Sequence, residues 1–407
     1  MTAPFSNSDI DPGDMPVIRL KPKANARAIR RGFPWVYANE LVTDRRTKAL
    51  TPGALAHLQD DKRETMGIVG VNPRSKIIAR MLDADPGARI DQRWFEHRIA
   101  RALALRDRLF PEPFYRLVHA EADGLPGVVI DRFGDICVVQ PNAAWAEALL
   151  TELTAALQTV TGVRTILKNA AGRTRSLEGL DDVNGVLAGV APDAPVPVPM
   201  NGAIYMAALM GGQKTGLFFD QRPNHAFAAG LARGARVLDV FSHVGGFSLA
   251  ALAGGAAEAL AVDASQPALD LAQAGAAAMN VSERFSTRRG DAFDVLGELG
   301  AEGAQFDIVI CDPPAFAPAR PALEAGLRAY ERIARLAAPL VAENGILGLC
   351  SCSHAADLTA FRGASLRGVG RAGRRAALIH TGFAGPDHPQ LPQLAESGYL
   401  KSIFLRL

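Results

Sequence analysis

The chain lacks the features that mark membrane-spanning and secreted proteins. No stretch of its 407 residues approaches the roughly 18 consecutive apolar residues of a membrane span. Residues 1–16 carry acids and prolines where a signal peptide has basic residues and an apolar core. The four cysteines are too few and too unevenly spaced for a disulfide framework. These absences predict a cytoplasmic protein with free thiols and no membrane partner.

A large excess of one sign of charge is also missing. The chain has 44 Lys plus Arg and 42 Asp plus Glu, a formal net charge of +2. This balance excludes a uniformly basic nucleic-acid coat but leaves room for a local basic patch. Because 48% of the residues are hydrophobic and 21% are charged, the chain can bury ordinary cores. Its length predicts two or three domains.

Prolines, glycines and hydrophobic periodicity divide the chain into four parts. Residues 1–15 show no apolar period and predict a flexible tail. Residues 16–90 contain short β-branched runs and predict a small all-β domain. Residues 91–200 predict a helix capped by Asp91, then a middle α/β domain, then a proline-rich linker over 190–202.

The fourth part, residues 201–407, alternates apolar strands with helices. Strands of this kind are typical of a mostly parallel sheet covered by helices on both faces. The fold class is therefore α/β, with the ligand expected at the carboxyl ends of the parallel strands.

A basic segment near the amino terminus surrounds an aromatic cluster. Between residues 16 and 48 nine basic side chains accompany two acidic ones, and Phe33, Trp35 and Tyr37 lie among them. Cations neutralise phosphates and rings stack on bases, so this segment predicts an RNA-binding surface. The alternative is a solvated charged face beside a core aromatic cluster. The candidate RNA-binding residues are Lys21, Lys23, Arg27, Arg30, Arg31 and Trp35.

Carboxylates lie at the ends of three successive predicted strands in the last part of the chain. Asp239 and Asp263 end the first two strands, and Asp291 follows the third. Gly245 and Gly246 permit close backbone approach, but the G-x-G-x-x-G pattern of dinucleotide sites is absent. These residues suit a cationic ligand with a nucleoside and no phosphates, and S-adenosylmethionine is such a ligand. The alternative is that Asp263 and Asp291 cap the following helices.

Two motifs at the ends of the fourth and fifth predicted strands suggest the chemistry. A stiff turn with free carbonyls for a base edge is formed by Asp312, Pro313 and Pro314. Phe316 follows and can stack on a base. Cys352 ends the fifth strand, and a thiolate that adds to carbon 6 of a pyrimidine makes carbon 5 nucleophilic. Direct attack by a base nitrogen, which needs no thiol, stays open as an alternative.

The other cysteines and nearby histidines have structural interpretations. Cys311 and Cys350 lie in apolar strands and are expected to be buried. A metal site made of Cys350, Cys352 and His354 lacks a fourth ligand at zinc-site spacing, so no metal is predicted. We expect His354 and His243 at helix starts or on the surface.

Several motifs taken together resemble the class I rRNA large-subunit methyltransferase I family. They are EADGLPGVVIDRFGD (121–135), GQKTGLFFDQRPN (212–224), VLDVFSHVGGFS (237–248), VDASQPALDLA (262–272), DPPAF (312–316) and SCS (351–353). The segment KPKANARAIRRGFPWVYANEL (21–41) resembles the PUA domain of that family. The resemblance covers nearly the whole chain from about residue 16, and the order of the motifs makes it specific.

This resemblance implies an architecture and an activity. The architecture is a PUA-like RNA-binding domain over 16–90, a middle α/β domain over 91–200 and a Rossmann-like methyltransferase domain over 201–407. The activity is S-adenosylmethionine-dependent formation of 5-methylcytidine in 23S ribosomal RNA. The oligomeric state stays open between a monomer and a homodimer.

The resemblance also implies roles for individual residues. Asp263 and Asp291 would hold the ribose and adenine of the cofactor, and Gly245 would lie against its methionine part. Asp312 would face the target base, and Cys352 would be the nucleophile. The other residues assigned to the cofactor are Gln213, Lys214, Thr215, Asp220, Arg222, Asp239, Phe241 and Gly246.

The chain departs from the family pattern at several positions. Ala315 stands where the family usually has Lys, His243 and Val244 where it has Tyr-Thr, and His225 where it has Arg. No cysteine follows the two prolines directly, so the proton on carbon 5 leaves to another base or to water. A third interpretation is a non-catalytic RNA-binding or ribosome-assembly protein, which would bind RNA with steep salt dependence and transfer no methyl group.

Overall fold

The computed structural model describes residues 11–210 and 216–407 of the chain. These residues form two compact units. The first unit is drawn from Met1–Asp193, Leu209–Gly216 and Pro386–Ser397, and the second from Ala194–Ala208, Leu217–Gly385 and Gly398–Leu407. Within the described ranges, no helix has the length and apolar character needed to cross a membrane.

The first unit begins with a small β domain, as the sequence predicts. Its strands and short helices are β1 (Val17–Arg19), α1 (Ala26–Arg30), β2 (Trp35–Tyr37), α2 (Arg45–Lys48), β3 (Ala54–Gln59), β4 (Thr65–Val71) and β5 (Ile77–Asp83). The strand order is β1-β3-β4-β5-β2, with only the β1-β3 pair parallel. Buried aliphatic side chains such as Val36, Leu58 and Val69 form the core of this sheet.

Residues 11–15 differ from the predicted flexible tail. Pro12–Asp14 forms a 3-10 turn capped by the Asp11 carboxylate, which also pairs with Arg89 at 3.0 Å. Met15 is buried in a hydrophobic cluster of the first unit. One apolar side chain without a periodic neighbour gives no sequence signal, so this anchor is visible only in the structure.

A long helix and a second sheet complete the first unit. The elements are α3 (Gln92–Leu109), β6 (Phe114–His119), β7 (Val128–Phe133), β8 (Ile136–Pro141), α4 (Ala144–Ala148), α5 (Leu150–Thr161), β9 (Thr165–Lys168), α6 (Arg173–Glu178) and β10 (Gly185–Ala188). Asp91 caps α3 through the Trp94 amide at 3.0 Å, as predicted. The sheet order is β10-β9-β8-β7-β6.

Aromatic packing joins the two sheets of the first unit. The rings of Phe95 and Trp145 stack at 5.9 Å with an interplanar angle of 7°. Gly70 of β4 makes room for Trp145, because a Cβ at that position would lie 2.5 Å from the Trp145 Cβ. Beside its own core, the β domain therefore shares a second hydrophobic cluster with the middle α/β region, to which Ile68 and Leu82 contribute.

A buried arginine links three separate segments of the first unit. Arg106 is fully buried and donates two hydrogen bonds to the Asp123 carboxylate, at 2.8 and 2.7 Å. It also donates to the backbone carbonyls of Arg116 and Asp387, both at 2.9 Å. The Asp387 carboxylate in turn accepts from the Arg116 amide at 3.1 Å. These bonds hold residues 386–397 in the first unit.

The second unit begins with a hairpin and continues with alternating strands and helices. Its elements are β11 (Val196–Met200), β12 (Ala203–Ala207), α7 (Arg222–Leu231), β13 (Arg236–Val240), α8 (Gly246–Ala253), β14 (Glu258–Asp263), α9 (Gln266–Ala278), β15 (Phe285–Arg289), α10 (Ala292–Ala301), β16 (Phe306–Cys311), α11 (Leu323–Ala337), β17 (Val341–Ser351), α12 (Leu358–Arg371), β18 (Ala377–Phe383) and β19 (Lys401–Arg406). Strand β11 lies inside the predicted linker over 190–202, because its alternating Val and Pro residues pair with β12.

Seven of these strands form one mostly parallel sheet, which confirms the predicted fold class. The order is β15-β14-β13-β16-β17-β19-β18, and β19 runs antiparallel to both neighbours. The direction of strand addition reverses between β13 and β16, so a crevice opens at the carboxyl ends of these two strands. The ends of β14, β15 and β17 lie at the same edge of the sheet.

Candidate functional site

The Asp239 carboxylate begins the candidate cofactor site at the end of β13. Asp239 is fully buried, and its Oδ2 accepts from the amides of Phe247 and Ser248 at 3.1 and 2.8 Å. These bonds cap α8, whose N-cap residue, Gly245, has no side chain to do so. Its Oδ1 has no hydrogen-bond partner among the described residues. Burial raises the pKa of Asp239 from 3.8 to about 6, against the opposing effect of the two amides.

The turn between β13 and α8 holds an unusual backbone conformation. Phe241, His243 and Gly245 all have positive φ angles, of 63°, 49° and 81°. Two of them carry side chains, which disfavour this region, and such strain gathers at ligand-binding sites. His243 is therefore part of the turn, and its ring contacts that of Phe218 edge-on at 5.0 Å.

The two other predicted carboxylates differ in what they hold. Asp263 accepts from the His243 amide at 2.9 Å through Oδ2 and from the Ser265 amide at 2.8 Å through Oδ1. Ser265, not Asp263, is the N-cap of α9. Asp291 does cap α10, as the alternative interpretation proposed, through the Phe293 amide at 2.9 Å. Asp263 therefore braces the strained turn, while Asp291 lies exposed at a helix start.

The segment from residue 213 to 222 is only partly described. Gln213, Lys214 and Thr215 lie outside the described residues. Asp220 is buried, and its Oδ2 accepts from the Tyr399 hydroxyl at 2.6 Å, whereas its Oδ1 has no partner among the described residues. The Arg222 guanidinium lies 5.5 Å from the centre of the Phe219 ring.

His225 packs beneath the turn. A Cβ at Gly246 would lie 2.8 Å from His225 Nε2, so only glycine fits against this ring. Tyr205 also reaches the turn and donates from its hydroxyl to the Gly246 carbonyl at 3.0 Å. Burial lowers the pKa of His225 to about 3, so its imidazole is neutral. The uncharged ring of His225 therefore stands where the family that the chain resembles usually has Arg.

Buried polar atoms without partners mark this crevice as a site for a polar ligand. Among the described residues they include Asp220 Oδ1, Asp239 Oδ1, Ser242 Oγ and His225 Nδ1. Buried polar atoms in proteins are normally hydrogen-bonded, so such a group of exceptions points to a missing partner. S-adenosylmethionine offers an ammonium and hydroxyls as donors and ring nitrogens as acceptors. These groups fit the carboxylate oxygens, the hydroxyl and the imidazole nitrogen left without partners. Ser242 was missed by the sequence reasoning, since a serine in a glycine-rich turn carries no distinctive signal.

The Asp-Pro-Pro turn lies directly after β16, at the reversal point. The Asp312 amide donates to the Val240 carbonyl at 3.1 Å, which ties the turn to the end of β13. Pro313 is buried and Pro314 is exposed. The Phe316 ring packs 5.0 Å from Tyr330, and its centre is 6.4 Å from that of Phe241. Phe316 thus supports the turn from the core as well as bordering the site.

Cys352 lies beside this turn. Strand β17 ends at Ser351, so Cys352 is the first residue beyond it, and its Sγ is 3.9 Å from the Pro313 carbonyl oxygen. All four cysteines are free, and only Cys352 is partly exposed. Cys311 and Cys350 are buried, as the sequence predicts, and burial raises the pKa of both thiols.

A hydroxyl network lies under Cys352. Ser351 Oγ and Ser353 Oγ contact the Tyr330 hydroxyl at 2.9 and 2.7 Å, and the Ala317 amide donates to Ser353 Oγ at 2.8 Å. The two serines that flank the cysteine are buried and face α11. They fix the backbone on both sides of the thiol. Tyr330 was not predicted, because its helix is separated in sequence from both motifs.

The predicted RNA-binding residues in the first unit have different surroundings. Arg30 pairs with Asp60 at 2.6 Å and Glu64 at 3.1 Å, and Lys21 donates to the Asn39 carbonyl at 2.9 Å. Trp35 donates from its ring nitrogen to Glu121 at 2.9 Å. A cavity of about 350 Å³ is lined by Asn25, Arg27, Ala28, Arg31, Phe33 and Gln393. Lys23, Arg27 and Arg31 are exposed.

No group of three or more His, Cys, Asp or Glu side chains in the described ranges is placed to hold a metal ion. The neighbouring Cys350, Cys352 and His354 are included in that finding.

Comparisons with known proteins match both parts of the chain. A PUA-like domain matches residues 18–84, and the S-adenosylmethionine-dependent methyltransferase family matches residues 153–404. Ribosomal RNA large subunit methyltransferase I of Escherichia coli O139:H28 is 31% identical over 389 residues, 95% of this chain and 98% of that protein. The protein of the same name from Aeromonas hydrophila subsp. hydrophila is 33% identical over 390 residues, 94% of this chain and 98% of that protein.

Solved structures share the fold. A putative SAM-dependent methyltransferase from Streptococcus mutans superposes with a TM-score of 0.81 at 20% identity, covering 97% of this chain and 100% of that one. A putative methyltransferase complexed with SAH gives a TM-score of 0.82 at 20% identity with the same coverage. The chain carries an amino-terminal PUA-like domain. It belongs to the S-adenosylmethionine-dependent methyltransferase family that includes ribosomal RNA large subunit methyltransferase I.

Proposed function

We propose that this protein transfers a methyl group from S-adenosylmethionine to carbon 5 of a cytosine in large-subunit ribosomal RNA. The observation that carries the proposal is the partly exposed Cys352 thiol, 3.9 Å from the carbonyl of Pro313 in the Asp-Pro-Pro turn. A nucleophile and a group that recognises a base edge thus share one crevice with the cofactor site. Its relatives of the same family are named for ribosomal RNA of the large subunit.

The residues suggest a sequence of steps. The Cys352 thiolate adds to carbon 6, so that an S–C bond forms and the ring electrons shift toward N3. Asp312 bonds the N3 edge and supports its protonation, which makes carbon 5 nucleophilic. The bound S-adenosylmethionine supplies the electrophilic methyl group that carbon 5 accepts. Loss of the carbon 5 proton to a base or water then restores the ring as the S–C bond breaks, N3 gives back the proton it took up, and Cys352 leaves as the thiolate.

The thiol favours this chemistry over its two alternatives. Methylation of a base nitrogen needs no sulfur nucleophile, and a purely RNA-binding protein needs neither the thiol nor the unpartnered atoms of the crevice. The other three cysteines are buried, so Cys352 at the end of β17 is the one cysteine whose thiol a substrate can reach. The unpartnered atoms of the crevice thus support a methyl-transfer enzyme, and the exposed thiol supports cytosine methylation.

For the cofactor, we propose that Asp239 Oδ1 receives the ammonium and that Asp220 Oδ1 is a second acceptor at the crevice. Asp263 and Asp291 lie at the ends of the next two strands and are proposed to hold the ribose and adenine. Gly245 keeps the turn open to the methionine part. Phe241, Gly246 and Arg222 complete the site in this proposal.

For the substrate, we propose that the exposed cations Lys23, Arg27 and Arg31 contact RNA phosphates in the first unit. Phe33 lines the same cavity as the two arginines and offers a ring for stacking. Arg30, Lys21 and Trp35 are engaged by other residues of the chain, so we expect them to contribute less to RNA binding. With ribosomal RNA as its substrate, we propose that the enzyme acts in the cytoplasm.

Nucleoside analysis of ribosomal RNA tests the proposed product. Large-subunit RNA from a strain without the gene is incubated with protein and S-adenosylmethionine, digested, and analysed by mass spectrometry. We expect one new 5-methylcytidine, because a thiol beside the base edge activates carbon 5. A methylated purine would instead establish nitrogen methylation, and RNA binding without any methylated nucleoside would establish the non-catalytic protein.

Cofactor binding is expected to weaken as the pH falls through 6. The pKa of Asp239 is raised to about 6, so its carboxylate loses the charge that attracts an ammonium below that pH. The dissociation constant should rise by roughly tenfold per pH unit below the pKa, since one proton competes with the ligand. Calorimetric titration with S-adenosylmethionine between pH 5 and 8 measures this.

The raised pKa also sets the sign of the stability effect in the protein without ligand. Asp239 prefers its proton in the folded state, so its contribution to stability is present below its ordinary pKa of 3.8 and lost as pH rises through about 6. Asp239→Asn is the matched control, because it cannot titrate. The assignment of Asp239 is wrong if the pH dependence of binding is the same in this variant.

A further inference from the structure

A buried lysine, Lys401, lies close to the proposed nucleophile Cys352. Lys401 begins β19 and pairs with Ser351 of β17, one residue before Cys352. Lys401 as a whole residue is 5% exposed. The Nζ atom donates to the carbonyls of Ser353 and Tyr399, at 2.7 and 2.9 Å. The ammonium thus holds the backbone at Ser353, the residue directly after Cys352.

The bonds of this ammonium leave its charge uncompensated. Both acceptors are neutral carbonyls, and within the described part of the chain no carboxylate lies at ion-pair distance from Lys401 Nζ. A buried cation without an anionic partner is costly, so an anion nearby is stabilised strongly. Burial lowers the pKa of the Lys401 ammonium, and the Cys352 and Asp357 side chains raise it again.

Of these two anions, Asp357 is already engaged elsewhere. It lies exposed at the start of α12, where its carboxylate accepts from the Ala360 amide at 2.7 Å. Solvent therefore screens its attraction to Lys401. Cys352 is less exposed and directly precedes the residue whose carbonyl the ammonium holds. Of the two groups, the Cys352 thiolate is thus the anion better placed to compensate the charge of the buried ammonium.

The other titratable groups around the thiol do not replace this cation. Tyr330 faces it from α11, and burial raises the pKa of that hydroxyl, so it stays neutral. Asp312, after β16, carries the same sign of charge as a thiolate. His354 lies two residues beyond Cys352 and is exposed to solvent.

We propose that Lys401 is a positioning residue that holds the turn after β17 and keeps Cys352 in the thiolate form. The thiol proton passes to solvent, the electron pair stays on Sγ, and the ammonium is not consumed. The inference rests on the proposed function only in taking Cys352 as the nucleophile. It applies equally to the step in which the S–C bond breaks, since the same charge stabilises the leaving thiolate.

Alkylation of the thiol tests this without RNA or cofactor. The full-length protein reacts with iodoacetamide between pH 5 and 10, and mass spectrometry quantifies the modified peptide, with Cys352→Ser as the background. We expect the rate to follow a thiol pKa below the ordinary value of about 8.5. A pKa at or above that value in the native protein would overturn the inference, whatever product the enzyme makes.

Substitution then assigns the effect to the lysine. In Lys401→Met the alkylation rate at pH 7 should fall about tenfold, which is the effect of raising the thiol pKa by one unit. In Lys401→Arg, which keeps the positive charge, the rate should fall less. Lys62→Met, which removes an exposed lysine of the first unit, is the matched control. The acid limb of the methyl-transfer rate should shift to higher pH by the same amount in Lys401→Met. An unchanged thiol pKa in folded Lys401→Met refutes the inference, whereas a shifted pKa with a product other than 5-methylcytidine refutes only the proposed function.

Discussion

Replacing Cys352 by alanine is expected to lower methyl transfer by at least about a thousandfold, the scale seen when a covalent nucleophile is removed. Without the sulfur no adduct forms at carbon 6, and carbon 5 of cytosine stays a poor nucleophile. The side chain is partly exposed and small, so the fold and the cofactor affinity should be retained. Single-turnover transfer of a labelled methyl group measures the rate, and calorimetry measures cofactor binding.

The neighbouring thiol gives a matched control for this variant. Cys350 lies two residues earlier, is buried, and accepts a hydrogen bond from Ser402 at 3.1 Å. Cys350→Ala should therefore cost stability, on the order of 1 kcal/mol, but keep most of the activity. Full activity in Cys352→Ala would rule out the covalent route and leave nitrogen methylation as the chemistry of the site.

Replacing Arg106 by methionine is expected to destabilise the first unit by about 3 to 5 kcal/mol, the usual cost of removing one partner of a buried ion pair. The substitution removes both guanidinium bonds to the buried Asp123 carboxylate, and it also removes the bonds that Arg106 donates to the backbone carbonyls of Arg116 and Asp387. All three tryptophans, Trp35, Trp94 and Trp145, belong to this unit. Urea unfolding followed by tryptophan fluorescence therefore reports its stability.

Arg164→Met is the control for this measurement. Arg164 pairs with Asp135 at 2.6 Å, but its side chain is 82% exposed and that of Asp135 60% exposed. An exposed pair of this kind contributes at most about 1 kcal/mol. If Arg106→Met unfolds at the same urea concentration as Arg164→Met, the ion pair of Arg106 does not stabilise the unit. Adding Asp123→Leu to Arg106→Met should restore part of the loss, since no buried charge is then left unpaired.

The order of strands and helices in the second unit follows from the sequence because its periodicity is strong. Apolar strands alternate with helices, and the carboxyl ends of parallel strands must meet at one edge. This rule alone brings Asp239, Asp312 and Cys352 to one crevice. Local signals account for the rest, as with Asp91 at the start of α3.

The parts that sequence reasoning missed depend on contacts between distant residues. Lys401 stands at the start of an apolar strand, where a lysine is usually solvated, and only the pairing of β19 with β17 reveals its burial. The partner of Asp220 is Tyr399, far along the chain. The helical stretch from Ala144 to Thr161 is divided into α4 and α5 at Leu149, whose φ and ψ of −113° and 27° leave the helical region. Nothing in the local sequence marks that break.

The path of the chain has a consequence for its synthesis on the ribosome. Residues 386–397 belong to the first unit, although most of that unit is made much earlier, and β19 then enters the sheet between β17 and β18. Until this stretch is translated, Arg106 lacks the Asp387 carbonyl and two strands have unpaired edges. Nascent chains arrested before residue 386 therefore leave both units incomplete and open to proteolysis. Completion of both units therefore depends on the last stretch of the chain, residues 386–406.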